Sequence, residues 1–209
     1  MPNAKKYLVN QEYSGMNFGI IFLCVFLETI KNNPVTLISG DTGSGKSTQV
    51  PQFLFESMVA ANRGSEAQII VTQPRRISAV SLSERVAFER NEDMGQTVGY
   101  QVRLESTIPP QHGCIFFCTT GILLRRLQDN PSLKGVSHVI VDEVHERDVL
   151  IDVLLSLLKN VVKTNPNIRV ILMSASLNIE LLRKYFNNCP LVEVINQHIA
   201  KQFYSTSTV

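Results

Sequence analysis

Three things that this sequence lacks narrow its function before any motif is considered. Its 209 residues carry 20 Lys and Arg against 18 Asp and Glu, a formal charge of only +2. So small an excess argues against nucleic-acid binding by bulk charge, and any such binding must come from local patches. The four cysteines show no CxxC or zinc-finger spacing. This disfavours a metal finger and is typical of reduced, buried thiols in an intracellular protein, nuclear or cytoplasmic.

The sequence also lacks a hydrophobic run long enough to cross a membrane. Its most apolar stretch is FGIIFLCVFL, residues 18–27, which is about half the length of a bilayer-spanning helix. A secretory signal would need a small-residue cleavage site, but ETIKNN follows the run. We therefore expect no membrane partner. The run is interpreted either as a helix that packs on the domain or as a stretch outside the fold.

From residue 34 onward, apolar, β-branched runs alternate with segments of helical length. The runs are VTLIS, QIIVT, CIFFCT, HVIVD and IRVILMS, and helices are predicted at 47–61, 77–90, 121–127, 149–163 and 179–186. This alternation predicts an α/β fold in three layers, a mostly parallel sheet with helices on both faces, and the length favours one main domain. Because ligands bind beyond the carboxyl ends of such strands, the residues that follow each run are the candidate site.

The first run is followed by GDTGSGKST, residues 40–48, which matches the phosphate-binding pattern G-x-x-x-x-G-K-[ST] at every fixed position. Its glycines permit a backbone that directs N–H groups inward, and the next helix adds its positive N-terminus. We expect Lys46 to lie along the β- and γ-phosphates of a bound nucleotide and the Ser47 hydroxyl to bind Mg²⁺. The predicted cofactor-binding residues of this loop are Gly40, Thr42, Gly43, Ser44, Gly45, Lys46, Ser47 and Thr48.

The acidic segment VDEVHER, residues 141–147, follows the run HVIV. Asp142 is predicted to hold Mg²⁺ together with Ser47, and Glu143 to orient or deprotonate the attacking water. Glu143 and Lys46 are therefore the candidate catalytic residues. A metal site made by His145 with the acids is disfavoured, because Mg²⁺ prefers oxygen ligands. Arg147 is interpreted as a local ion-pair partner of these acids.

Six segments occur in an order that resembles the first RecA-like domain of DEAH-box (DExH) RNA helicases of superfamily 2. They are GDTGSGKSTQVPQF, TQPRRISAVSLSERVA, GYQVRLES, CTTGILLRRL, VDEVHERD and LMSASLN, and the similarity covers roughly residues 27–194. The segment GVSHVIVDEVHERD, residues 135–148, is most similar to the branch that contains RNA helicase A. The resemblance implies a RecA-like P-loop NTPase, residues 27–195, that uses ATP and Mg²⁺. Residues 1–26 are then an N-terminal extension and 196–209 a C-terminal tail.

The resemblance also implies roles for residues outside the phosphate loop. It predicts contacts to the phosphate backbone of RNA, and also of DNA, from residues Pro74, Arg75, Arg76, Arg103, Thr119, Thr120 and Gly121. Arg85 is expected either to stack on adenine or to form an ion pair on the helix surface. His145 is expected to sense a second lobe. Ser174 and Ser176, in SAS where the family usually has Ser-Ala-Thr, are expected to couple nucleotide state to RNA binding or to cap the next helix.

A helicase of this kind needs a second RecA-like lobe, and no motif of such a lobe is recognisable after residue 194. We therefore expect the ATP-binding lobe of an ATP-dependent RNA helicase, active when a second lobe is present. The alternative is a fragment, short isoform or incomplete gene model that binds nucleotide or RNA without significant turnover, because losing an arginine finger costs about three to five orders of magnitude in rate. A P-loop ATPase unrelated to nucleic acid is disfavoured by TQPRR, GYQVRLES and CTTG.

Overall fold

The apolar runs form the strands of one sheet in the computed structural model, which describes residues 6–7, 18–110, 112–175 and 179–194. Within these residues the strands are β1 (Lys6–Tyr7), β2 (Val35–Gly40), β3 (Gln68–Gln73), β4 (Val98–Val102), β5 (Glu105–Thr107), β6 (Cys114–Thr119), β7 (His138–Val141), β8 (Arg169–Ser174) and β9 (Leu191–Val194). Their order across the sheet is β1-β9-β2-β8-β7-β3-β6-β4-β5. The pairs are parallel except for the β4–β5 hairpin.

Helices cover both faces of this sheet. They are α1 (Phe18–Asn32), α2 (Lys46–Ala60), α3 (Arg76–Glu89), α4 (Thr120–Asp129), α5 (Val149–Thr164) and α6 (Ile179–Tyr185). Successive strand residues point to opposite faces, so Leu37 packs in the core under α4, α5 and α6 whereas Ile38 packs in the core under α1, α2 and α3. The predicted three-layer α/β fold, RecA-like in its architecture, is confirmed.

The strand pattern missed four strands of the described sheet: β1, β4, β5 and β9. β1 and β5 are only 2 and 3 residues long, and β9, which has 4 residues like β7, is interrupted by the charged Glu193. β4 is interrupted by Gly99, and it pairs on one side with the polar β5. Short or polar strands of this kind carry too little periodicity to be separated from loops, and they form here because longer neighbours offer them an edge.

The apolar run near the N-terminus lies in a helix that joins the core. In α1, Phe26 and Ile30 are 2% and 1% exposed and pack in the core under α1, α2 and α3. The predicted boundary between residues 26 and 27 therefore falls inside a helix rather than between two units. Among the described helices, none combines the length and hydropathy needed to span a membrane. The predicted tail, 196–209, lies outside the described residues.

The hydroxyl of Thr36 in β2 gives a prediction about stability. Thr36 is fully buried, and its Oγ1 has no hydrogen-bond partner in the described part of the chain. Thr36→Val keeps the shape and removes an unsatisfied polar group, so the free energy of unfolding in urea should rise by about 1 kcal/mol. Thr29→Val is the control, because the Thr29 hydroxyl donates to the Val25 carbonyl at 2.7 Å. An increase for Thr29→Val but not for Thr36→Val would contradict the prediction.

Candidate functional site

The candidate site lies where five adjacent parallel strands end. β2, β8, β7, β3 and β6 are neighbours in the sheet, so their carboxyl ends share one edge. The phosphate loop follows β2, Asp142 follows β7, and Ser174 is the last residue of β8. The TQPRR segment crosses the end of β3. The strand order thus brings together motifs that are far apart in the sequence.

The phosphate loop has the backbone that its glycines predict. Gly43 and Gly45 have φ values of 79° and 81°, a left-handed conformation that glycine adopts without strain. Gly45 directly precedes the 15-residue helix α2. The N-terminus of α2, which carries Lys46, Ser47 and Thr48 in its first turn, therefore adds its positive end to the loop. This arrangement is suited to binding a phosphate chain.

The Lys46 ammonium group is held by oxygens of the loop itself. Its Nζ donates to the carbonyls of Gly40 and Asp41, at 2.6 and 2.7 Å, and to Ser44 Oγ at 3.1 Å. Burial lowers the pKa of Lys46, against the opposing effect of the negative charges of Asp142, Glu143 and Asp41. A phosphate at this position would replace neutral acceptors with charged ones, and charge-assisted hydrogen bonds are the stronger kind.

Asp142 is buried and tightly held. It is 2% exposed; Gln73 Nε2 donates to its Oδ2 at 2.6 Å and the Glu143 backbone N–H donates to its Oδ1 at 2.9 Å. Gln73 is a site residue that reasoning from the sequence missed. Only the sheet order could have identified it, because β3 lies beside β7 with Thr72 opposite Val141.

The donor set at this edge fits magnesium. The Ser47 hydroxyl and the Asp142 carboxylate supply oxygen, the ligand type that Mg²⁺ prefers. The described residues contain no group of three or more His, Cys, Asp or Glu arranged to hold a metal. A magnesium ion held by Ser47 and Asp142 would therefore complete its coordination with water and phosphate oxygens, as Mg²⁺ commonly does in nucleotide sites. The predicted pair is chemically suited to that role.

Glu143 has features expected of a catalytic carboxylate. Its φ and ψ of 54° and 36° are left-handed, a conformation that costs energy for a residue with a side chain and is enriched at functional sites. Burial raises the pKa of Glu143, and the Asp142 charge raises it further, while His145 and Lys46 oppose the shift. A carboxylate with a raised pKa is a stronger base toward water.

Among the described residues, His145 contacts Glu143 and Ala175. Its Nδ1 lies 3.3 Å from Glu143 Oε2, and the Ala175 N–H donates to the same Nδ1 at 3.3 Å. Nδ1 can accept from the amide only without a proton and can donate to Glu143 only with one, so only one of the two contacts can be a hydrogen bond at a time. The link from SAS to the acidic segment is thus a backbone amide: Ser174 Oγ is buried without a hydrogen-bond partner in the described part, and Ser176 lies outside it.

Arg147 does not pair with Asp142 or Glu143, contrary to the interpretation of the sequence. Its guanidinium binds both carboxylate oxygens of Asp152, at 2.9 and 3.0 Å. Arg147 has a φ of 50°, and this backbone turn carries its side chain toward the first turn of α5. This ion pair joins the end of the acidic segment to the first turn of α5.

Basic side chains flank the same edge. Arg75 precedes α3 with its side chain 73% exposed, and it forms a 3.1 Å ion pair with Glu146. Arg76 begins α3 and is exposed, as is Arg103 in the turn between β4 and β5. Pro74, Thr119 and Gly121 are half-buried, whereas Thr120 is 3% exposed. A nucleic-acid contact from Thr120 would therefore use its backbone.

Arg85 has the ion pair that one interpretation of the sequence required. Its Nε lies 2.7 Å from Glu89 Oε1 one turn along α3, and its side chain is 61% exposed. The other oxygen of Glu89 accepts from Gln49 and Gln52 of α2, at 2.9 and 2.8 Å. The pair is thereby anchored to the helix that follows the phosphate loop, and adenine stacking by Arg85 stays a prediction.

Comparison with known proteins adds independent evidence. A family model described as DEAD/DEAH box helicase matches residues 25–184. ATP-dependent RNA helicase DHX30 of Gallus gallus is 52% identical over 179 residues, which cover 85% of this chain and 14% of that protein. ATP-dependent DNA/RNA helicase DHX36 of Homo sapiens is 48% identical over 167 residues, 79% of this chain and 17% of the relative. DExH-box ATP-dependent RNA helicase DExH3 of Arabidopsis thaliana is 48% identical over 187 residues, which cover 87% of this chain and 16% of that protein.

This chain thus spans between 14% and 17% of the length of these curated relatives. The matched region contains the phosphate loop, the TQPRR segment and the acidic segment, and these meet at one edge of a RecA-like sheet. The resemblance drawn from the sequence motifs is confirmed. The chain belongs to the DEAD/DEAH box helicase family.

Proposed function

We propose that this chain is the ATP-binding lobe of an ATP-dependent RNA helicase. It binds Mg·ATP at the phosphate loop and the nucleic-acid backbone at the basic edge, the segment Pro74, Arg75 and Arg76 that follows β3. It hydrolyses ATP to ADP and phosphate when paired with a second RecA-like lobe. The observation that carries the proposal is that the phosphate loop, which follows β2, and the pair Asp142 and Glu143, which follows β7, lie at the same edge of the sheet.

The residues of the candidate site have separate roles in phosphoryl transfer. Loop N–H groups and Lys46 bind the β- and γ-phosphates and balance their charge. Ser47 and Asp142 would hold magnesium, which would supply further positive charge to the phosphate oxygens. Glu143 lies next to Asp142, orients the attacking water and takes its proton. The raised pKa of Glu143 supports this assignment, because burial makes the carboxylate a better proton acceptor.

The basic edge is proposed to bind RNA, and DNA as well, through phosphates. Arg75 and Arg76 stand at the start of α3, where the helix N-terminus adds its partial positive charge. Phosphate contacts carry no sequence information, which suits an enzyme that moves along its substrate. DHX30 is named as an RNA helicase and DHX36 as a DNA/RNA helicase, which supports this choice of ligand.

The alternative is a nucleotide- and RNA-binding module without significant turnover. One observation favours it: within the described residues, no hydrogen bond or ion pair joins an arginine to the phosphate loop, and Arg75 and Arg85 are paired with acids. An arginine supplied from elsewhere accelerates related reactions by about three to five orders of magnitude. RNA-stimulated turnover by this chain alone at helicase rates would exclude the alternative.

The proposed ligands can be tested by measuring the salt dependence of RNA binding. Arg75→Ala and Arg76→Ala should each weaken binding of a single-stranded RNA in fluorescence anisotropy and reduce the slope of log K against log salt by about 0.7. Arg63→Ala is the control, because Arg63 lies before β3 at the opposite edge and pairs with Glu66. Equal slopes for all three variants and the wild type would contradict an RNA contact at this edge.

A further inference from the structure

The side-chain amide of Gln73 joins two segments of the candidate site. Gln73 is the last residue of β3, is 2% exposed, and donates to Asp142 Oδ2 at 2.6 Å. The residues that follow it, Pro74, Arg75 and Arg76, form the basic edge. A side chain of the segment proposed to bind RNA is therefore in direct contact with the carboxylate proposed to hold magnesium.

Two hydrogen bonds fix the orientation of the Asp142 carboxylate. The Gln73 amide holds Oδ2, and the Glu143 N–H holds Oδ1 at 2.9 Å. Each carboxylate oxygen has two acceptor sites, so each keeps one for magnesium or a water bound to it. Asp142 is almost fully buried, so water would replace a lost partner poorly. Without the Gln73 amide, the carboxylate would be free to rotate and one oxygen would lose its donor.

We propose that Gln73 is a positioning residue that aims Asp142 at magnesium and couples RNA contact at Arg75 and Arg76 to magnesium affinity. The inference rests on the proposed function. A phosphate that binds Arg75 or Arg76 shifts the end of β3, and the hydrogen bond from Gln73 transmits that shift to Asp142. The Arg75–Glu146 ion pair joins the same two segments, but Arg75 is 73% exposed, and an exposed pair contributes little.

The test is a magnesium titration of ADP binding by Gln73→Met, which keeps the length of the side chain and lacks the donor. Binding of a fluorescent ADP analogue is followed by anisotropy as Mg²⁺ is added, and separately in EDTA. The midpoint Mg²⁺ concentration should rise about tenfold or more, the usual effect of removing a hydrogen-bonded partner of a metal ligand. ADP affinity in EDTA should stay at the wild-type value, and the variant should stay folded although its melting temperature falls by a few degrees, because a buried carboxylate oxygen loses its donor.

Two further variants accompany Gln73→Met: one is a matched control, and the other tests the same hydrogen bond by a different change. Gln128→Met makes the same change at an exposed position of α4 and should leave the midpoint unchanged. Gln73→Asn keeps an amide but withdraws it by about 1.5 Å, one carbon–carbon bond, and should raise the midpoint as Gln73→Met does. It replaces the methionine variant if that variant fails to fold.

The coupling is tested by adding a saturating single-stranded RNA. RNA should shift the Mg²⁺ midpoint of the wild type, because coupling between two binding sites is reciprocal. It should leave the midpoint of Gln73→Met unchanged, because that variant lacks the amide that joins the end of β3 to Asp142. The same shift in both proteins, or none in the wild type, would overturn the coupling.

The remaining outcomes separate this inference from the proposed function. A folded Gln73 variant with the wild-type midpoint would overturn the positioning role, and so would a loss of ADP affinity in EDTA that accounts for the whole effect. A wild-type chain whose ADP binding is independent of magnesium would overturn the proposed function, and this inference with it.

Discussion

Lys46→Ala is expected to abolish measurable binding of Mg·ATP and Mg·ADP by this chain. Lys46 is the single ammonium group whose contacts span the phosphate loop within the described residues, with acceptors on Gly40, Asp41 and Ser44. Losing several charge-assisted hydrogen bonds to phosphate should weaken binding by at least about a hundredfold.

The acids near Lys46 enlarge this effect. The charges of Asp142, Glu143 and Asp41 all act on the Lys46 ammonium. When the ammonium is removed, these carboxylates face the phosphates with less compensating charge, and like charges at short range repel. The loss should therefore exceed what the absent hydrogen bonds alone would give.

Isothermal titration calorimetry with Mg·ADP checks this prediction. Lys163→Ala, in the exposed last turn of α5, removes the same charge far from the loop and should bind as the wild type does. Melting temperatures of both variants establish that each is folded. Undiminished binding by a folded Lys46→Ala variant would refute the phosphate-loop assignment.

Features fixed by neighbours in the sequence were predictable. The phosphate loop is one continuous segment, and its glycine spacing alone predicts the left-handed turns found at Gly43 and Gly45. The five strands that were predicted, β2, β3, β6, β7 and β8, have continuous apolar runs because both of their faces are buried. For the same reason the position of Asp142 at the sheet edge followed directly from the run HVIV.

Contacts between segments were not predictable, because they depend on strand order. β7 lies between β8 and β3, although β3 precedes it by about 65 residues of sequence. This order places Gln73 against Asp142 and the Ala175 amide against His145. The Arg147 prediction was wrong for a related reason: several acids lie nearby in sequence, and the left-handed backbone at Arg147 selects Asp152.

Glu143→Gln is expected to separate hydrolysis from binding. The amide has the shape of the carboxylate but cannot take a proton from water, and general-base catalysis contributes about a hundredfold to ten-thousandfold in rate. Lys46, the loop amides and the Asp142 carboxylate all remain, so Mg·ADP affinity should stay close to that of the wild type. Hydrolysis should fall by a factor in the stated range.

Single-turnover hydrolysis of radiolabelled ATP, with protein in excess, detects slow cleavage by this chain, and calorimetry measures binding in parallel. Glu66→Gln is the matched control, because Glu66 is exposed and lies before β3, at the opposite edge of the sheet. Because Asp142 precedes Glu143 and keeps its own hydrogen bond from Gln73, a loss of magnesium affinity is not expected. Wild-type hydrolysis by Glu143→Gln would remove Glu143 from the role of base, and equal losses of binding and hydrolysis would make it a binding residue instead.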